Sequence, residues 1–286
     1  MKVSVSSYSF HQYIKAGKMT AFECVSKAKE MGFDGIEFTD LPGETLEEQK
    51  KLAAEIAAEA ERVGIEINAY TIRGDLYHDT KEGSDAEVAR LCDQLDVAKI
   101  LGAAVLRHDV CYKLGTTGKS RSFDLMLPTI AENARRVTEY GQSIGIRTCS
   151  ENHGYISQDS DRVERLFNAV AHDNFGLLVD MGNFICVDEN PITAVSRVAP
   201  YAVHVHIKDM MVRNTPVGRC NHMTRGGNYF CGTVVGEGDI PVLQCLRIMK
   251  RAGYDGYVSL EYEGAEDCID GIARGFANVK AFLEQI

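Results

Sequence analysis

Glu151 in IRTCSENHG, Asp180 in GLLVDMGN, His206 in VHVHIKD and Glu261 in YVSLEYEG each close a short apolar run that reads as a strand. Three carboxylates and an imidazole, if they converge, make a site for one hard-to-borderline divalent cation, with Mn²⁺ expected first and Mg²⁺, Co²⁺ or Zn²⁺ as alternatives. Such a cation leaves positions for two adjacent substrate oxygens and stabilises the charge that grows as a carbonyl becomes an enediolate. Two glutamates on opposite sides of the reacting carbon can remove and return its proton. Each residue also has a bland reading: Glu151 as a cap or solvated strand end, Asp180 as a turn cap, His206 as a satisfied core histidine. Four such strand ends at spacings of 29, 26 and 55 residues outweigh any one of them.

Strand alternation sharpens the choice at two of these sites. VHVHIKD places His204, His206 and Lys208 on one face, against Val203, Val205 and Ile207 on the other. His206 is nearer the strand end and is the preferred ligand, with His204 deeper behind it. Lys208 is placed to bind an alkoxide or carboxylate oxygen, and Asp209 to orient a ligand or end the strand. Glu261 and Glu263 share a face. Glu261 lies closer to the strand body and is the better ligand, leaving Glu263 behind it or at the rim. Cys149 shares a face with Glu151, but nothing marks it as a nucleophile.

Positioning those ends requires repeated strand–helix units. Strand-like runs at 3–9, 35–38, 67–72, 104–108, 144–151, 176–181, 202–209 and 257–262 alternate with helical patterns at 20–31, 45–62, 84–101, 123–140, 159–170, 190–198, 240–252 and 266–284. Eight units in 286 residues predict an α/β chain forming one (β/α)8 TIM barrel over 1–286, whose active site lies at the strand ends. A doubly wound open sheet is the alternative, weakened by the lack of an early GxGxxG. Gly35, Gly64, Gly102, Gly145, Gly176 and Gly256 precede strands as expected helix exits. MGFDGIEF and AGYDGYVSLEY echo one another, and barrel closure would bring Glu37 as well as Glu261 to the mouth. Tyr8, Phe10, Phe38 and Tyr70 stand near early strand ends as pocket wall or core. The stretch 209–239 is long for a plain connector and is expected to cover or line the pocket, with an oligomer contact or surface excursion as the alternative. RGG at 225–227 and GEG at 236–238 read as turns rather than an anion cradle.

Composition excludes several classes. A formal charge of −10 argues against a nucleic-acid binder or an anionic-membrane binder, and no window approaches 18 uninterrupted apolar residues. The start, MKVSVSSYSFHQY, reads as a strand rather than a leader, so the cytoplasm is the expected location. Nine scattered cysteines without a CxxC pair predict small buried hydrophobes, not a disulfide framework or zinc knuckle.

With SSYSF, GFDGIEF, SENHG, DMGNF, HVHIKD, GEGDI and GYDGYVSLEYEG in view, the chain resembles the xylose isomerase-like TIM barrel superfamily, in its sugar phosphate isomerase/epimerase group. The resemblance implies one divalent metal held by Glu151, Asp180, His206 and Glu261, with Glu151 and Glu261 also as the acid–base pair. It implies substrate contacts from His153, Lys208 and Arg213 or Arg219, the arginines by loop position alone. Asn183 stands where ketose 3-epimerases of the superfamily carry histidine. It can bond a hydroxyl but cannot act as imidazolium, and DMGN is similar to members that act on inositol derivatives, keto-sugars or dehydrated sugar acids. The expected activity is a metal-dependent isomerase or epimerase of a ketose or related polyhydroxylated carbonyl compound. A lyase or dehydratase of a keto-sugar or keto-inositol, or a non-catalytic sugar-binding protein, are the alternatives. The DNA-repair endonucleases that the superfamily also contains fit poorly with the net acidity. A homo-oligomer, dimer or tetramer, is expected from the group.

Overall fold

The computed structural model describes residues 1–286. Its strands are β1 (Lys2–Ser6), β2 (Gly35–Thr39), β3 (Glu66–Ile72), β4 (Val105–His108), β5 (Arg147–Glu151), β6 (Phe175–Asp180) and β7 (Ala202–Ile207), then β8 (Asp209–Arg213), β9 (His222–Met223), β10 (Tyr229–Thr233) and β11 (Tyr257–Leu260). β1 to β7 and β11 close a parallel barrel in the order β1-β11-β7-β6-β5-β4-β3-β2, while β8, β10 and β9 form a separate antiparallel sheet. The eight-unit barrel expected from the sequence is therefore the observed architecture. None of its helices is long and apolar enough to cross a membrane.

Helices α1 (His11–Lys15), α2 (Ala21–Glu30), α3 (Leu46–Val63), α4 (Lys81–Leu101), α5 (Phe123–Ile144), α6 (Ser160–Val170), α7 (Pro191–Val198), α8 (Val242–Arg251) and α9 (Cys268–Leu283) surround it. Local chemistry sets their ends. Thr20 with Glu23, and Thr45 with Glu48, form reciprocal capping boxes at the starts of α2 and α3. Gly64 leaves α3 at φ 71° and Gly102 leaves α4 at φ 79°, conformations that cost other residues energy. Gly35 and Gly176 are not helix exits as expected; they lie within β2 and β6, where the need is for space. A Cβ on Gly176 would sit 2.3 Å from Val203 Cγ1, and one on Gly35 2.7 Å from the Tyr257 ring.

Parallel pairing brings every barrel strand's C-terminal end to the same face. β1 is flanked by β2 and β11, so the two echoed junctions sit side by side, with Asp34 accepting from the Val3 amide and Asp255 from the chain's N-terminal ammonium. Along β6 and β7, Asp180 pairs in register with His206. Val205 and Ile207 enter the apolar core, leaving His204 and His206 for the opposite face.

Residues 209–239 depart from expectation. They are not a plain loop but carry the β8-β10-β9 sheet, and Cys231 of β10 is joined by a disulfide to Cys220, which lies just before β9. Antiparallel pairing turns the chain back on itself and brings these two sulfurs together, so the unpaired reading fails for them. The other seven cysteines are free thiols, all buried except the half-buried Cys92. The excursion is tethered at its root by Asp209, whose carboxylate accepts from the amides of Met210, Gly236, Gly238 and Ile240.

Candidate metal centre

β5, β6, β7 and the residue after β11 deliver Glu151, Asp180, His206 and Glu261 to one point. His206 Nδ1 lies 3.9 Å from Glu151 Oε1, 3.8 Å from Asp180 Oδ2 and 3.7 Å from Glu261 Oε2. Those separations are too long for hydrogen bonds, yet close to the ~3–3.8 Å between atoms that each lie ~2.1 Å from one ion. Asp180 Oδ2 and His206 Nδ1 are buried and make no hydrogen bond. Asp180 Oδ2 has the Lys208 ammonium at 3.1 Å, whereas His206 Nδ1 has no close partner, which costs about 1–3 kcal/mol and which a bound cation would relieve. Glu151, Asp180 and His206 together form one cluster able to hold a metal. The donor set fits a divalent cation.

The first ring of partners holds these groups in place. Asn183 donates its side-chain amide to Glu151 Oε1 at 2.7 Å, and Arg107 reaches Glu151 Oε2 at 2.7 Å. Asn152 pins the end of β6, donating to the Asp180 carbonyl and accepting from the Asp180 amide. Asp180 Oδ1 accepts from the amides of Gly182 and Asn183, turning the chain directly after the strand. Below, Glu37 contacts both His204 and His206, and these three form a second cluster of metal-ligating type.

Lys208 lies among the carboxylates. Its ammonium pairs with Glu261, with Asp180 Oδ2 at 3.1 Å and with Glu263 Oε1 at 3.2 Å. Burial raises the proton affinity of Glu151. Burial acts the same way on Glu261, but Lys208 and His206 beside it hold that carboxyl well below the usual range. Burial disfavours a charged His206, yet Glu37 and Glu261 raise its pKa well above the ordinary value. His204 is lowered by burial and is a neutral donor to Glu37.

The remaining expected site residues divide cleanly. His153 lines the same 370 Å³ cavity as Glu151, His206, Lys208, Glu261 and Glu263. Its Nδ1 is 2.9 Å from Asp109 Oδ1. Tyr8 is 41% exposed and walls this cavity, whereas Phe10, Phe38 and Tyr70 are buried core. Asp209 touches no candidate ligand; its work is the tether described above. Arg213 and Arg219 stand outside the cavity, Arg213 paired with Asp239 and Arg219 with Glu266. Nor does any residue of 209–239 line it. That segment instead docks on neighbouring loops, through Thr224 to Asp188, Arg225 to Asp159 and Tyr155 to the Met223 carbonyl. Cys149 is fully buried and its thiol is pushed up to about 12 by burial, which leaves it inert.

Two residues escaped the sequence reading. Arg107 and Asp109, around the end of β4, form a buried pair at 2.7 Å, and Tyr112 donates to the other Asp109 oxygen. Their signal was available: in AVLRHD an arginine and an aspartate alternate on one strand face, next to the face that carries Glu151. Arg107 pairs in register with Cys149, two residues before Glu151.

The sequence profile described as xylose isomerase-like TIM barrel matches residues 25–284. The chain belongs to this family. Within this xylose isomerase-like family, it is 26% identical over 274 residues to the uncharacterized protein YihM of Escherichia coli K12, covering 94% of this chain and 74% of that one. Against the inosose dehydratase of Clostridium perfringens strain 13 it is 23% identical over 259 residues, covering 86% and 84%. The solved structure of the IOLI protein with a bound zinc atom superposes with a TM-score of 0.78 at 16% identity, covering 100% of this chain and 99% of that one. At that identity the likeness establishes the barrel alone. Two clusters of ligating groups in a xylose isomerase-like barrel support a metal-dependent enzymatic function.

Proposed function

We propose that this enzyme takes a proton from the carbon beside the carbonyl of a small polyhydroxylated keto compound and returns it, as an isomerase or epimerase. The observation that carries the reading is the placement of two glutamates, Glu151 and Glu261, around one histidine nitrogen inside a polar cavity of 370 Å³. When bound, a divalent cation supplies Lewis-acid stabilisation of the charge that builds on the carbonyl oxygen. Glu151, Asp180, His206 and Glu261 would hold it, with Mn²⁺ the first candidate.

Glu151 is the better placed base. Arg107 and Asn183 fix both of its oxygens, which limits its motion to the approach of a substrate C–H. Glu261 serves the opposite face, and Lys208 beside it stabilises its charged form. Lys208 and His153 project into the same cavity and would hold substrate hydroxyl or carbonyl oxygens. Asp109 orients the His153 ring through Nδ1.

A second reading is elimination of water from a keto-inositol or keto-sugar after the same proton abstraction. It is favoured by the similarity to an inosose dehydratase over 86% of this chain and by the DMGN form that carries Asn183, which resembles members acting on inositol derivatives and keto-sugars. Metal-loaded protein incubated in D₂O with free ketoses, keto-sugars and keto-inositols separates these readings. Deuterium at the carbon beside the carbonyl without loss of water supports isomerisation; a new ultraviolet-absorbing enone supports elimination. Absence of both, with ligand affinity unchanged in Glu151→Gln and Glu261→Gln, would leave only a sugar-binding role.

A further inference from the structure

Two clusters of metal-ligating groups share His206: Glu151 and Asp180 on one side of the ring, Glu37 and His204 on the other. A single imidazole offers one nitrogen to each, and the distances distinguish them. Nδ1 stands 3.7–3.9 Å from three carboxylates, with room for an ion between. Nε2 stands 2.8 Å from Glu37 Oε1, and His204 Nε2 stands 2.6 Å from Glu37 Oε2. Those separations leave no room for a cation that needs ~2 Å on each side, and the His204 contact is a hydrogen bond.

We propose that the Glu37–His204 cluster takes no ion and acts as a brace, fixing His206 to coordinate through Nδ1. The inference rests on the metal-binding reading above. Glu37 is fully buried and faces a ring nitrogen with each oxygen. Glu37 Oε1 occupies the Nε2 side of His206 at 2.8 Å, without hydrogen-bond geometry, and Nδ1 is the nitrogen left facing Glu151, Asp180 and Glu261. His204 occupies the other Glu37 oxygen, so the carboxylate cannot rotate away from His206. The two rings sit edge to face, 5.5 Å apart at 81°, which keeps their Nε2 atoms on separate oxygens. Glu37 is thus a positioning residue that acts through His206 and touches no substrate. Partners of this kind orient a ligating histidine and raise its basicity, and their loss typically weakens binding about 10–100-fold.

Chelator competition with Mn²⁺ and Zn²⁺ measures the affinity of full-length wild type and Glu37→Gln, and ¹⁵N spectra of the Zn²⁺-loaded protein identify the coordinating nitrogen. The brace predicts one ion per chain, a metal-shifted Nδ1 with protonated Nε2 on His206, and affinity at least tenfold lower in Glu37→Gln. Coordination through Nε2, or a smaller loss of affinity, overturns it. His204→Gln provides a second variant should Glu37→Gln fail to fold. Retention of the ion within about fivefold supports the brace; a loss as complete as in Asp180→Asn marks His204 as a ligand and overturns it. Wild type that binds no ion refutes the metal reading itself, an outcome distinct from the others.

Discussion

Arg107 reaches Glu151 Oε2 at 2.7 Å from the neighbouring strand, and the same nitrogen holds Asp109 Oδ1 at 2.7 Å. One buried guanidinium therefore bridges two buried carboxylates, one a candidate base and the other the partner of His153. Arg107→Met leaves both without their cation. Removing one member of such a pair costs about 3–5 kcal/mol. A drop of that size in urea denaturation, with solvent-proton exchange into substrate slowed at least tenfold, is the expected result. Arg107→Lys should not restore exchange. Lysine brings a point charge, without the fork that also bonds the Ile72 carbonyl.

Gly182 gives Lys208 its path. A Cβ at this position would lie 2.4 Å from Lys208 Cγ and 3.2 Å from the Lys208 carbonyl. The side chain has to move, since the backbone atom behind it cannot. Gly182→Ala should displace the ammonium from Glu261 and Asp180 and slow substrate exchange at least tenfold, while the far-ultraviolet dichroism stays that of the wild type. Full exchange activity in this variant would show that Lys208 has no part in the reaction.

The barrel was legible because its signals are local: apolar strand-like runs alternating with helical patterns recur eight times. Four ligands of the candidate site, Glu151, Asp180, His206 and Glu261, were equally legible as polar residues closing apolar runs, and register then set Asp180 beside His206. What stayed hidden was pairing over distance. Arg107 looked like an ordinary strand residue until the barrel placed it against Glu151, 44 positions on in sequence. Arg213 and Arg219 looked available because a loop position carries no information about nearby acids. In the fold Asp239 and Glu266 take them up. Cys220 and Cys231 read as scattered thiols because nothing in 209–239 announces an antiparallel sheet.

Metal removal should cost stability by mass action. An ion present at 100 times its Kd stabilises the native state by about 2.7 kcal/mol. Dialysis against a chelator should therefore lower the melting temperature, and Mn²⁺ should restore it in a concentration-dependent way. Asp180→Asn, which weakens the cluster, should melt at the same temperature with or without added Mn²⁺. A chelator-independent wild type would count against the site.

Asp209 gathers four backbone amides at the root of the excursion. Gly238 approaches so closely that a Cβ there would fall 2.2 Å from Asp209 Oδ1. Asp209→Ala orphans those donors and should lower stability by about 3 kcal/mol, since hydrogen bonds to a charged group contribute ~1.5–3 kcal/mol each and water will recover part of the loss. Protease cleavage between residues 209 and 239 should accelerate in the variant before global unfolding does. Unchanged cleavage there would mean the sheet is held by other contacts.

Glu59 links α3 to α2 well away from the cavity. Its carboxylate accepts from Arg62 at 2.6 Å and from the Ser26 hydroxyl. Those hydrogen bonds, led by Arg62, hold its pKa down to about 2, below the ordinary glutamate value of 4.5. The unfolded chain therefore binds this proton more readily than the folded one. The stabilisation is fully present above about pH 4.5 and is lost as pH falls towards 2. Glu59→Gln should consequently unfold at lower urea than wild type at pH 7, with the gap narrowing steadily below pH 4.5 and closing near pH 2. A gap that is constant across that range would show that the carboxylate's charge has no role in joining the two helices.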